Sequence, residues 1–171
     1  MARVPPIREE DHPELATLIK DIKGQRGRLS PLYGTLAQSP PVAAGWLHFL
    51  SSVRKETQLK GTHRELVILL VALINGADYE FRSHLKHGAK EGMSEEKMHA
   101  VLDWATSPHF DDDERAVLAY CDASTRNVKV SDEVFAGIRS RFTDRQIVEL
   151  TALIGAYNTV SRLLVALDVG H

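Results

Sequence analysis

Nine consecutive apolar residues, Leu66–Ile74, are the feature of this 171-residue chain that most restricts its fold. The run is shorter than the roughly 18 residues that a membrane span needs, so it belongs in a protein core. Its composition suits a buried strand as well as a helix. Its two ends favour a helix, because Thr62 and Glu65 have the spacing of a capping box and Asn75-Gly76 is a typical helix stop. The run is therefore predicted to be a buried helix.

Helical spacing and helix start signals continue along the rest of the chain. Residues 12–27 show a helical pattern that we expect to end at Gly24, and residues 39–57 predict a helix that starts at Pro40 and Pro41. No alternating segment of strand length occurs, so the chain is predicted to be all-α. The second helix is expected to turn four large residues inward: Trp46, Leu47, Phe49 and Leu50. Further helices are predicted to start at Asp78, Ser94, the acidic run 111–114, Ser131 and Thr143.

Composition and charge exclude several classes of function. With 43% hydrophobic and 26% charged residues, the chain has the composition of an ordinary globular protein. A formal charge of −2 gives no electrostatic reason to bind nucleic acid or an acidic membrane. Cys121 is the only cysteine, which excludes an intrachain disulfide and a CxxC redox or zinc pair. The first residues contain no apolar signal segment, so a cytoplasmic protein is expected.

Ionisable side chains are densest directly after the apolar run. Glu80, His84 and His87 have the spacing i, i+4 and i+7, which places them on one face of a helix. A carboxylate and an imidazole one turn apart can share a proton, and burial favours the uncharged form of both groups. Glu65 lies near the start of the preceding helix. If the two helices pack antiparallel, Glu65, Glu80 and His84 can converge on one pocket.

The same residues allow other interpretations. Glu65 can simply close the capping box, Glu80 and His84 can form a solvated pair, and His87 can be a surface residue. Glu80, His84 and His87 can also be read as metal ligands, although the sequence indicates no fourth ligand. Cys121 lies among apolar residues on its helix and is interpreted as a packing residue.

Residues 64–92 resemble the carboxymuconolactone decarboxylase family, which includes the alkylhydroperoxidase D-like proteins. The redox branch of that family carries a Glu, then Asn-Gly-Cys-x-Tyr-Cys, then a His four residues after the second cysteine. Five residues of this chain occupy the matching positions: Glu65, Asn75, Gly76, Tyr79 and His84. Ala77 and Glu80 stand where the two cysteines would be, so the resemblance is to the non-redox branch. A dithiol peroxidase cycle needs both thiols and is not available here.

The resemblance implies a helical bundle of the alkylhydroperoxidase D-like type in a single domain, residues 1–171. Residues 1–60 would supply N-terminal helices, 61–127 the core with the site, and 128–171 C-terminal helices. The resemblance also implies a homo-oligomer (a dimer, trimer or hexamer), which agrees with the high apolar content of residues 40–50 and 149–160. Neither nucleic acid nor a membrane is an expected partner.

The activity implied is that of a cofactor-free and metal-free lyase acting on a small carboxylated lactone or related carbonyl compound. Glu65, Glu80 and His84 would form the proton relay, with Tyr79 and Arg82 contacting the substrate. Arg82 can grip a carboxylate bidentately, but it lies about 160° around the helix from His84. The alternatives are an inactive family member that binds a ligand or partner, a metal-dependent hydrolase, and a peroxidase-related antioxidant protein.

Overall fold

The computed structural model describes residues 2–170, and all regular elements in that part of the chain are helical. The all-α prediction is confirmed. The α-helices are α1 (Ala16–Arg26), α2 (Pro31–Leu36), α3 (Pro40–Lys55), α4 (Gly61–Ile74), α5 (Asp78–Lys90), α6 (Glu95–His99), α7 (Asp112–Asn127), α8 (Asp132–Arg139) and α9 (Asp144–Ala166). Short 3-10 turns occupy Glu9–Asp11, Pro13–Leu15 and Ala100–Asp103. None of the described helices combines the length and apolar character needed to cross a membrane.

The chain divides into two compact units. One comprises Met1–Glu56 with Leu163–His171, and the other comprises Thr57–Arg162. The single-domain organisation of the sequence stays a prediction.

In the first unit, Arg26 at the end of α1 connects the first three helices. Its Nε donates to the hydroxyl of Tyr33 on α2 at 2.9 Å, and its Nη2 donates to Oγ of Ser51 on α3 at 2.9 Å. The expected end of this helix at Gly24 is wrong, because α1 continues through Gly24. The chain instead leaves the helix at Gly27, whose φ of 81° is left-handed and favours glycine.

The inward face of α3 is narrower than the sequence suggested. Leu47 and Leu50 are buried as predicted, in line with Ala43 and Val53. Trp46 is half-buried, and the prediction for Phe49 is wrong because 46% of this residue is exposed. Positions 43, 47, 50 and 53 repeat at helical spacing, and residue 49 falls outside that stripe.

In the second unit, α4 is the central helix. Each residue from Leu66 to Ala72 is buried, and the helix packs against α5 on one side and α7 on another. A helix that is apolar around its whole circumference is stable only when surrounded. The helix ends at Ile74, with Asn75 as C-cap and Gly76 at a φ of 66°, so the predicted stop is confirmed.

Several predicted helix starts in this unit are confirmed by side-chain caps. Ser94 and Ser131 each accept a backbone N–H of the following helix. At the start of α9, Thr143 and Gln146 form the predicted reciprocal pair of bonds. The prediction for Asp78 is wrong, because Ala77 is the N-cap of α5 and Asp78 is its first helical residue. An acidic residue there still interacts favourably with the helix dipole.

Candidate active site

The packing of α4 against α5 brings Glu65 and His84 into direct contact. Oε2 of Glu65 lies 2.6 Å from Nδ1 of His84, and the two residues are only 1% and 3% exposed. The capping box of Thr62 and Glu65 is a wrong prediction, because Lys60 is the N-cap of α4 and no side chain caps the helix. Glu65 is therefore the fifth residue of α4, after the positions whose backbone N–H groups a cap would satisfy. Its carboxylate extends toward α5 instead.

Glu80 occupies the other side of the His84 ring. Its Oε1 lies 3.1 Å from Nε2 of His84, one helical turn away on α5, and 6% of Glu80 is exposed. Both ring nitrogens thus face a carboxylate, which favours the doubly protonated imidazolium. The expected convergence of Glu65, Glu80 and His84 is present in the structure, and we call these three residues the Glu–His–Glu cluster. Their catalytic roles stay a prediction.

The electrostatics of the cluster favour the ion pair. Burial alone would lower the pKa of His84, but the hydrogen bonds to Glu65 and Glu80 outweigh it and raise that pKa above its ordinary value. Burial would likewise raise the pKa of Glu65, but His84 and then Arg64 hold it below its ordinary value. Both directions indicate that attraction exceeds desolvation. The two pKa shifts therefore favour a cationic His84 beside an anionic Glu65.

Arg64 extends the charged network beyond the cluster, and sequence reasoning missed it. Its Nε donates to Oε1 of Glu65 at 3.1 Å, and its Nη2 donates to Oε1 of Glu91 at 2.6 Å. Gly61 makes the second contact possible, because a Cβ on residue 61 would collide with the carboxylate of Glu91. The Arg64–Glu91 pair thus helps to hold the charge beside Glu65.

His63 shows the behaviour of a buried histidine without a carboxylate in contact. It is 3% exposed, like His84. Its Nδ1 has no hydrogen-bond partner within residues 2–170, and its ring meets that of Phe142 at 5.5 Å. Burial, and then the charge of Lys60, lower the pKa of His63. The raised pKa of His84 therefore arises from its two carboxylates and not from burial.

Two aromatic side chains adjoin the ring of His84. Tyr157, on α9, meets it edge to face at 5.4 Å. The ring of His87 lies 5.0 Å away on α5, and His87 is half-buried rather than a plain surface residue. No spacing in the sequence indicates Tyr157, because 73 positions separate it from His84. Its place among the apolar residues of the last predicted helix is the only signal that the sequence offers.

The predicted substrate contacts lie on the same helix but are more accessible. Tyr79 is half-buried and Arg82 is exposed. Their role in binding a substrate stays a prediction.

Cys121 is a packing residue on α7. It is fully buried, its Sγ lies 3.8 Å from the carbonyl oxygen of Val67, and burial raises the pKa of its thiol to about 12. A thiol with so high a pKa supplies almost no thiolate near neutral pH.

The alternative interpretation of Glu80, His84 and His87 as metal ligands is not supported by their arrangement in the structure. Among residues 2–170, no group of three or more His, Cys, Asp or Glu side chains is arranged to hold a metal ion. Each ring nitrogen of His84 already faces a carboxylate.

Comparison with known proteins connects this geometry to a family. The model of the carboxymuconolactone decarboxylase family matches residues 40–123, which include all of α4 and α5. The chain belongs to the carboxymuconolactone decarboxylase family. The uncharacterised protein YnjA of Escherichia coli K12 is 32% identical over 126 residues, which make up 73% of this chain and 66% of the relative. The chain thus spans slightly less than two thirds of that relative.

Solved structures show the same fold. The protein ATU0492 of Agrobacterium tumefaciens, of unknown function and with a suggested antioxidant role of the AhpD type, is 29% identical with a TM-score of 0.75, covering 79% of this chain and 93% of its own. The debrominase Bmp8, solved with 2,3,4-tribromopyrrole, has a TM-score of 0.82 at 18% identity, covering 97% and 89%. An AhpD-core, peroxidase-related protein of Ralstonia eutropha JMP134 gives 0.82 at 16% identity, covering 99% and 90%. At 18% and 16% identity, the likeness of this decarboxylase-family chain to the last two structures concerns the fold alone.

Proposed function

We propose that this protein is a cofactor-free lyase of the carboxymuconolactone decarboxylase type, acting on a small carboxylated lactone or related carbonyl compound. The observation that carries the proposal is the buried imidazole of His84, which contacts a carboxylate through each ring nitrogen. A proton on either nitrogen can pass to a carboxylate without any side chain moving far. This is the arrangement that a proton relay requires.

The energetics of the cluster support a functional role. Removing charged groups from water carries a penalty of several kcal/mol per ion, and well-packed apolar residues of similar size are often as stable or more so. A fold therefore gains little from burying Glu65, Glu80 and His84 together. Shifted pKa values of buried groups, such as those of Glu65 and His84, are found more often at sites that perform acid–base chemistry.

The differing environments of the two carboxylates suggest different roles. Glu80 is the more exposed of the two, and we assign it the transfer of the proton to the substrate. His84 is the shuttle that resupplies Glu80 through Nε2. Glu65, held by Arg64, orients the ring of His84 through Nδ1 and stabilises its positive charge.

The proposed reaction needs no redox step. The bond between a ring carbon and the substrate carboxylate breaks, carbon dioxide leaves, and the electron pair moves into the conjugated carbonyl system. A proton from Glu80 then forms the new C–H bond, and the relay recovers one proton from water. Tyr79 and Arg82 remain our proposed substrate contacts, with Arg82 offering its guanidinium to a carboxylate or carbonyl oxygen.

The test measures carbon dioxide release and loss of substrate absorbance with a panel of unsaturated γ-lactone carboxylic acids. We expect turnover by the wild-type protein and a loss of about 100-fold or more in Glu80→Gln and His84→Gln. Glu95→Gln is the matched control, because Glu95 and His99 form the same i, i+4 pair on the surface, 83% and 52% exposed.

Two results would contradict the proposal. One is full turnover in a His84→Gln variant that keeps the helical circular-dichroism signal. The other is the absence of turnover across the panel together with an ordinary pKa for His84 in NMR titration, which would favour the ligand-binding alternative.

We also propose that the protein is a homo-oligomer. Large apolar side chains are exposed at Val42 and Phe49 on α3 and at Phe135 on α8. Exposed apolar residues of this size are common at subunit contacts.

A further inference from the structure

A groove between α7 and α9 has the features of a second ligand site. Its volume is about 330 Å³, and its lining includes Thr125 and Val128 from the end of α7 and Ile154, Asn158 and Arg162 from α9. This volume is at the lower end of the range for small-molecule pockets. The groove lies outside the Glu–His–Glu cluster and contains none of its residues.

Arg162 supplies a positive charge at this groove. Its side chain is exposed, and its Nη1 donates to Oδ1 and to the backbone oxygen of Asn158 at 2.8 and 3.1 Å. None of the ion pairs between described residues involves Arg162. Because a guanidinium has five N–H donors in a planar fork, donors remain for a bidentate contact with a carboxylate.

The side chain of Asn158 is held by hydrogen bonds, and Asn158 in turn holds the guanidinium of Arg162. Its Oδ1 accepts from Nδ2 of Asn75 at 3.1 Å. Its Nδ2 donates to Oγ1 of Thr125 at 3.2 Å and to the backbone oxygen of Ile154 at 3.0 Å. An amide with both ends bonded cannot rotate freely, so the guanidinium bonded to it is pre-organised.

Two backbone features of the groove also support a ligand site. Gly155 lines the groove inside α9, and a Cβ there would meet nothing within 4 Å. Glycine is unfavourable inside a helix, and no packing contact of the described residues requires it here. Val128, the C-cap of α7, has a φ of 63°, which is strained for a β-branched residue.

We propose that this groove binds a small organic carboxylate. The carboxylate contacts Arg162, and an apolar body lies over the open surface at Gly155, beside the exposed side chain of Val128. The hydroxyl of Ser124 is a further polar contact in the same groove. This site is separate from the proposed reaction and does not depend on it.

Benzoate is the probe, with benzamide as its neutral counterpart of the same shape. Ligand-observed NMR and calorimetry on the full chain should give a saturable benzoate site with a Kd on the order of 1 mM or tighter. Benzamide should bind at least about tenfold more weakly, because it lacks the charge that Arg162 recognises. Inorganic phosphate should not displace benzoate. Displacement at equal concentration would show a general anion site and overturn the assignment of an organic carboxylate.

Variants locate the site. Arg162→Gln should weaken benzoate about tenfold and leave benzamide unchanged. Gly155→Leu places a side chain in the groove, where its Cβ meets nothing within 4 Å. This variant should not destabilise α9 and should abolish binding of both probes. Arg145→Gln is the matched control, an exposed arginine on the same helix, and should bind as the wild type does. Glu80→Gln should also retain binding.

Benzoate affinity unchanged in both Arg162→Gln and Gly155→Leu would overturn the proposal, as would the absence of saturable binding. Binding lost only in Glu80→Gln would assign benzoate to the catalytic cluster and equally overturn this site. Because these outcomes do not involve turnover, they are independent of the test of the proposed activity.

Discussion

Replacement of Glu65 by Gln should destabilise the protein far more than a typical surface substitution. Removing one partner of a buried ion pair costs about 3–5 kcal/mol. His84 keeps Glu80 at 3.1 Å, and the Gln amide can still accept a hydrogen bond, so we expect about 3 kcal/mol, the lower end of that range. For a chain of 171 residues, each kcal/mol lowers Tm by roughly 2–4 °C, which predicts a decrease of about 6–12 °C.

The loss of stability in Glu65→Gln should depend on pH, and its direction follows from the two pKa shifts. The pKa of His84 is raised from 6.5 in the folded state, so its stabilising contribution is complete below 6.5 and disappears as pH rises through the raised value. The pKa of Glu65 is lowered from 4.5, so its contribution is complete above 4.5 and disappears as pH falls through the lowered value. The difference between wild type and Glu65→Gln should therefore be largest between pH 4.5 and 6.5.

The assay is urea unfolding followed by far-ultraviolet circular dichroism, at about pH 6 and at a pH about three units higher. His63, whose pKa is lowered, destabilises both proteins equally in acid and cancels in the difference. Glu95→Gln is the control for the removal of one carboxylate from an exposed Glu–His pair, and it should leave the midpoint unchanged. A loss below about 1 kcal/mol in Glu65→Gln, or one that grows as pH rises, would refute the reasoning.

Three further predictions concern other parts of the chain. Cys121 should not react with a thiol reagent in the folded protein, and no dithiol-supported peroxidase activity should be seen; turnover of an alkyl hydroperoxide that survives Cys121→Ser would require another redox group. Light scattering at micromolar concentration should show a homo-oligomer, and a monodisperse monomer would refute this. Val128→Gly should stabilise the protein by about 1 kcal/mol in urea unfolding, because glycine adopts a φ of 63° without strain; a loss of stability would show that Val128 is not strained.

The sequence predicted the start of a helix correctly where a side chain caps that helix. Ser94 and Ser131 cap the helices that follow them, and Thr143 pairs with Gln146 as its spacing indicates. The short helix α2 was not predicted, although Ser30 caps it and Pro31 begins it. Its six residues are too few to show a helical repeat of apolar positions.

The site could be predicted in composition but not in geometry. The spacing of Glu80 and His84 fixes their contact within one helix. The partner of Nδ1 could not be chosen from the sequence, because Glu65 fits a capping box and a tertiary contact equally well. The start of the helix at Gly61 decides it, and that boundary is not marked by any capping residue. Tyr157 was missed because its contact with His84 depends on how α5 and α9 pack. Arg64 contacts its neighbour Glu65 within α4, but its contact with Glu91 likewise depends on packing.

The absence of a side chain at Gly61 has a consequence for natural variation and for screening. A methyl group there would displace only the mobile end of Glu91, and alanine is a better helix former than glycine, so Gly61→Ala should fold normally. Yet Glu91 would move away from Arg64. The guanidinium of Arg64 would then keep its contact with Glu65 but lose its contact with Glu91, which helps to hold it in place. A survey that selects for expression and solubility would accept this variant as neutral. Mutational drift at residue 61 can thus adjust the acidity of Glu65 while every residue of the Glu–His–Glu cluster stays unchanged.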